Sequence, residues 1–203
     1  MKTLLRIDSS ARTQGSHSRE LADYFVTEWL KKNPDGNVIQ RDLASMELPH
    51  MQNNLIEAFH MEVDDMDDKH KRAIQLSDEL VTELKSVDEV IISSPLYNLN
   101  IPSPLKAYLD HVVRVGHTFR VGENGYEGLL NDKPAYLITT KGEVYKGTPM
   151  EPLDFQQPYL ETIFGFMGMK MYGKYYLEGT SKTEVLEPNR QQLKQQMELT
   201  LKN

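Results

Sequence analysis

The chain contains no cysteine. Disulfide bridges, thiolate catalysis, iron–sulfur clusters and cysteine-ligated zinc are thereby excluded. Positive charge is also scarce, with 23 Lys and Arg against 30 Asp and Glu and a formal net charge of −7. That balance offers no basic footprint, so neither nucleic acid nor an anionic membrane is expected as a partner. No stretch approaches the roughly 18 apolar residues of a membrane span. The opening MKTLLRIDSS carries too short an apolar run for a signal peptide, and a cytoplasmic location is the expectation. The histidines include no His-x-x-x-His pair, so no helix-borne metal site is expected. Neither the Gly-x-Gly-x-x-Gly dinucleotide loop nor the Gly-Lys-Ser/Thr nucleotide loop is present. Repeats, low-complexity segments and linkers are missing too, and 203 residues fit one domain spanning 1–203.

What the chain does contain is a regular alternation. TLLRID (3–8), VIQRDL (38–43), DEVIISS (88–94), KPAYLITT (133–140) and KMYGKYYLEG (170–179) read as strands. Between them run helical patterns at 17–33, 67–86, from Ser103-Pro104 onward, and 158–170, with a polar closing helix that carries Pro188 near its start. Ser103 and Pro104 are expected as N-cap and first helical position. DEVIISS shows no polar alternation, as expected of a strand covered on both faces. Five strands alternating with helices predict an α/β protein whose parallel sheet has helices on both sides. In such sheets ligands bind beyond the carboxyl ends of the strands, so the loops after the first, third and fourth strands are the candidates.

The first loop, SSARTQGSHS, spaces serines as Ser10-x5-Ser16-x-Ser18 ahead of a helix. Hydroxyls and free amides at a helix N-terminus suit a phosphate, although N-caps favour serine in any case. The second, SSPLYNLNIPSP, fixes its backbone with Pro95, Pro102 and Pro104 and offers the flat face of Tyr97 and the amides of Asn98 and Asn100. The third, TTKGEVY (139–145), presents hydroxyls, a lysine and Gly142. Each reads singly as an ordinary turn. Together at one sheet edge they point to a planar aromatic ligand carrying a phosphate.

SSPLYNLNIPSPLKAYLDHVVRVGHTFR, with the serine loop upstream and ENGYEGLLNDKPAYLITTKGEVY and PYLETIFGFMGM downstream, resembles the FMN-dependent NADH-azoreductases, relatives of the NAD(P)H:quinone reductases. The resemblance runs from about residue 3 to 180. It implies a flavodoxin-like fold of strand order 2-1-3-4-5 and a homodimer with FMN at the subunit interface. It also implies Ser10, Ser16, His17 and Ser18 around the phosphate, and Pro95, Leu96, Tyr97, Asn98 and Leu99 along the flavin ring. Thr140, Lys141, Gly142 and Tyr145 would border the pyrimidine side, with Lys141 and Tyr145 supporting the reduced state. Three features depart from many relatives: Glu143 in place of a second glycine, Tyr145 in place of histidine, and Ile163-Phe164 where Phe-Leu is common. A carboxylate at position 143 is expected to point to solvent, and the aromatic wall over the substrate is expected to differ.

The implied reaction is a two-electron ping-pong cycle from NADH or NADPH to a quinone or azo compound, two cycles being needed to cleave an azo bond to amines. The competing readings are a flavodoxin-like electron carrier without its own substrate and a flavin-free interaction protein. The acidic segment MEVDDMDDKHKR (61–72) lacks the glycine and spacing of a calcium loop and reads as a solvated helix start. Methionines 167, 169 and 171 read as packing residues.

Overall fold

The computed structural model describes residues 1–123 and 125–202. Strand β1 (Thr3–Asp8) leads to α1 (His17–Lys32) and β2 (Asn37–Asp42), then to α2 (Asn53–Ala58) and α3 (Asp68–Ser86). β3 (Glu89–Pro95) is followed by α4 (Ser103–Val112), the hairpin strands β4 (Phe119–Gly122) and β5 (Gly125–Gly128), and β6 (Pro134–Thr140). α5 (Gln156–Phe166), β7 (Lys170–Leu177) and α6 (Thr183–Lys202) complete the order.

The main sheet runs β2-β1-β3-β6-β7, and every neighbouring pair is parallel. Counting only its five strands, this is the expected order 2-1-3-4-5. Successive residues of a strand face opposite sides, and the core divides accordingly. On one face Leu5, Ile7, Val90, Ile92 and Leu137 pack with Leu80 and Leu84 of α3, Leu105 and Leu109 of α4, and Leu160 and Phe164 of α5. On the other, Leu4, Ile91, Ile138 and Tyr175 meet Leu21, Phe25 and Trp29 of α1 and Met197 and Leu201 of α6. Burying each such large side chain contributes about 1.5–3 kcal/mol. Both faces being covered explains the unbroken apolar run of β3.

Several local expectations change. The acidic segment does start a helix: Asp67 caps α3 by accepting from the Lys69 and His70 N–H groups. Pro102, not Ser103, is the N-cap of α4, and no side chain caps that end. α5 ends at Phe166 because Gly168 (φ 84°) turns the chain, where a Cβ on Gly128 would collide with the Gly168 backbone. The hairpin β4–β5 and helix α2 were not foreseen, since both are too short for a clear period. Met167 and Met169 are buried in the core and Met171 packs against it. No described helix is long and apolar enough to cross a membrane.

Candidate functional site

The carboxyl ends of β1, β3 and β6 lie side by side, so their following loops share one edge of the sheet. At the first, Ser16 is the N-cap of α1 but its side chain makes no capping hydrogen bond. Its hydroxyl instead lies 3.2 Å from that of Ser18. The backbone N–H groups of His17, Ser18 and Arg19 have no acceptor among the described residues. An uncapped helix start with an unspent serine hydroxyl suits an anion, because free N–H groups and the helix dipole both favour negative charge there. Ser10 is nearly buried, and its Oγ accepts from the Arg12 N–H at 3.2 Å. Ser18 is fully buried, so its hydroxyl faces that of Ser16 and not solvent.

A charged layer beneath holds this loop. Arg19 donates to the Ser10 carbonyl at 2.7 Å and to both Asp42 oxygens at 2.8 and 2.6 Å. That hydrogen bonding holds the Asp42 carboxyl below the usual carboxylate range and raises the Arg19 guanidinium. The fully buried Asp8 accepts from Arg6 Nε at 2.8 Å, Ser93 Oγ at 2.7 Å and Gln40 at 3.1 Å. His17 is met by Arg190 of α6, whose Nη2 lies 2.9 Å from Nδ1. No local motif pointed to Arg190, which arrives from the far end of the chain.

The second loop is a tight turn. The Tyr97 N–H donates to the Asn100 carbonyl at 2.9 Å and the Asn100 N–H to the Tyr97 carbonyl at 3.0 Å. Between them Asn98 (φ 48°) and Leu99 (φ 69°) are both left-handed, the geometry of a type I′ turn. Asparagine tolerates that region; leucine sits there at a cost of about 1–2 kcal/mol. Such strain persists only where surrounding contacts impose it. Here the Leu99 carbonyl accepts from the Phe155 N–H at 3.0 Å, and Gln156, fully buried, clasps Ser94 with bonds of 3.0 and 3.1 Å. The Asn98 and Leu99 N–H groups have no acceptor among the described residues. Pro95, Leu96, Tyr97 and Leu99 are half-buried and Asn98 is exposed, leaving them surface for a ring.

The turn touches both neighbours. Tyr97 Oη is 3.5 Å from Ser10 Oγ, and the Leu96 N–H donates to the Thr140 carbonyl at 2.8 Å. In the third loop Gly142 is exposed, and a Cβ there would meet nothing within 4 Å. Glu143 points outward: it pairs with Lys182 at 2.9 Å and accepts from Ser181 Oγ at 3.1 Å. The Lys182 hydrogen bond holds its carboxyl below the usual range. Tyr145 is buried with its ring 5.5 Å from Lys141 Nζ. The Lys141 side chain, 1% exposed, is held between Asp154 and Glu178. Its ammonium is thereby turned inward, away from the open edge of the sheet. Phe164 likewise lies in the core, at i+4 from Leu160, and forms no substrate wall. The exposed aromatic side chains among the described residues are Phe155, beside the turn, Tyr126 of the hairpin, packed with Phe166 at 5.2 Å between ring centroids, and Tyr172 of β7.

A doubly covered parallel sheet of order 2-1-3-4-5, with an uncapped helix start and a tight type I′ turn at its carboxyl edge, defines a flavodoxin-like protein. Residues 1–201 match the model of a family described as having a flavodoxin-like fold. An FMN-dependent NADH:quinone oxidoreductase of Marinomonas sp. is 40% identical over 197 residues, covering 97% of this chain and 98% of that protein. One of Trichormus variabilis is 44% identical over 171 residues, 83% of each chain. The chain belongs to this family of flavodoxin-like oxidoreductases. Among solved structures, an azoreductase from Bacillus anthracis shares the fold with a TM-score of 0.90 at 24% identity, covering 98% of this chain and 100% of that one. A Bacillus anthracis FMN-dependent NADH-azoreductase in complex with FMN gives 0.86 at 22%, covering 97% of this chain and 98% of that one.

Proposed function

We propose that the protein is an FMN-dependent oxidoreductase that uses NADH to reduce quinones and azo compounds. The observation that carries this reading is the unspent N-terminus of α1, where the Ser16 side chain makes no capping bond and three N–H groups have no acceptor among the described residues, on the same sheet edge as the strained turn at Asn98–Leu99. The residues fit FMN on three counts. The cradle suits a monophosphate and lacks the Gly-x-Gly-x-x-Gly spacing of a pyrophosphate loop, the turn leaves two N–H donors unspent, and a Cβ at Gly142 would meet nothing within 4 Å.

Ser16, His17 and the α1 N-terminus would hold the phosphate, with Ser10 and Ser18 as supports. Pro95–Leu99 would line the ring, and Thr140, Gly142 and the backbone flanking Tyr145 would border its polar edge. Bound FMN supplies hydride acceptance from NADH and donation to the acceptor. The chain contributes orientation: prolines and the Phe155 and Gln156 clasps keep the turn stiff, so its donors need no reorganisation when charge develops on the ligand. No side chain is required as a nucleophile.

The same reading includes a homodimer in the cytoplasm, where NADH is available. Light scattering tests it; a monomer at micromolar concentration contradicts the dimer. Steady-state assays with NADH, then NADPH, against a benzoquinone and an azo dye test the activity. Turnover that depends on added FMN is expected; bound FMN without turnover marks an electron carrier instead.

A further inference from the structure

Lys141 follows β6 directly, yet its ammonium is turned into the protein. It lies 3.0 Å from Glu178 Oε1 and is paired with Asp154 Oδ2; the three side chains are 1%, 12% and 9% exposed. The other oxygen of Glu178 accepts from the Tyr145 and Lys146 N–H groups, each at 3.0 Å. The other oxygen of Asp154 accepts from the Gln156 and Gln157 N–H groups at 3.1 and 3.2 Å. Every oxygen of both carboxylates is therefore spent. One side reaches the loop after β6, the other the start of α5, where Phe155 and Gln156 hold Leu99 and Ser94. The bonds form one continuous path from Lys146 through the lysine to the strained turn.

Breaking a buried pair by removing one partner costs several kcal/mol, so a cluster of this kind fixes relative position strongly. We infer that Lys141 and Glu178 are positioning residues that set the spacing between the loop Gly142–Lys146 and the turn Tyr97–Asn100, and hence the slot for the flavin ring. The inference rests on the FMN reading and deepens it: Lys141 acts on the cofactor through Glu178 and Asp154 and touches neither it nor the substrate. The cluster carries one lysine against two carboxylates, so it also places a formal negative charge behind the ring's polar edge.

Glu178→Gln tests this at nearly constant shape. An amide has one oxygen, so it either keeps the two loop N–H groups and turns its NH2 on Lys141, or the reverse. Expected are an FMN dissociation constant about tenfold higher, as for loss of one charge-assisted hydrogen bond, and an upward shift of the midpoint potential of bound FMN. Lys141→Met, if it folds, is expected to weaken FMN as well but move the potential downward, since it leaves the carboxylates uncompensated. The opposite signs are what a merely structural role does not produce. A Glu178→Gln protein with wild-type affinity, or with weakened affinity and an unmoved or lowered potential, overturns the inference. Wild-type protein that fails to bind FMN is a different result and defeats the flavin reading itself.

Discussion

Replacing Ser16 with alanine probes the phosphate cradle most selectively. An N-cap serine normally stabilises its helix by about 1 kcal/mol, but Ser16 makes no capping bond, so the apo-protein is expected to lose only a few tenths. A hydroxyl donating to a phosphate dianion contributes about 1.5–3 kcal/mol, which converts to a rise in the FMN dissociation constant of roughly 10- to 150-fold. Ser18, fully buried 3.2 Å behind Ser16, acts by orientation, so Ser18→Ala should cost about 1 kcal/mol, roughly fivefold. Because the two touch, the double variant should fall short of the product of the single effects. Fluorescence titration of apo-protein measures the affinities, and riboflavin provides the control. It lacks the phosphate, so its affinity should not change in either variant. FMN binding within twofold of wild type in Ser16→Ala, or equal weakening of riboflavin, refutes the phosphate assignment.

Two further outcomes concern stability. Leu99→Val places a β-branched residue at φ 69° and should destabilise by about 1–2 kcal/mol in urea unfolding, whereas Leu99→Gly should differ from wild type by less than about 1 kcal/mol; equal losses in both contradict the strain argument. Asp42 titrates below its ordinary value because of Arg19, so its stabilising contribution is present above the unfolded-state value of 3.8 and is lost as pH falls through the lower folded value. Asp42→Asn should therefore lower the melting temperature at neutral pH and flatten its decline below about pH 4; a parallel shift at all pH values contradicts that role.

How much of this was legible follows from where each signal lies. The central strands of the sheet could be read because both faces are covered, which makes runs such as Val90–Ile92 continuously apolar; the edge strands β2 and β7 were read from their place in the alternation. The serine spacing and the proline-bounded turn stood out because hydroxyls at a helix start and prolines around a turn are local features of the chain. The partners that hold the loops could not. Arg190, Asp154, Gln156 and Glu178 come from α6, the approach to α5, α5 itself and the end of β7, and only the fold brings them to this edge. The inward turn of Lys141 was illegible for the same reason, since its neighbours in sequence say nothing of the two carboxylates that take its ammonium. The left-handed Leu99 also left no trace, because leucine disfavours that conformation and tertiary contacts impose it.

The absorption spectrum of purified protein, reconstituted with FMN and followed through successive additions, bears most directly on the assigned function. NADH added without oxygen should bleach the visible flavin band, and a quinone added next should restore it within one turnover. Protein that takes up no FMN, or whose flavin band is unchanged by NADH, contradicts the account.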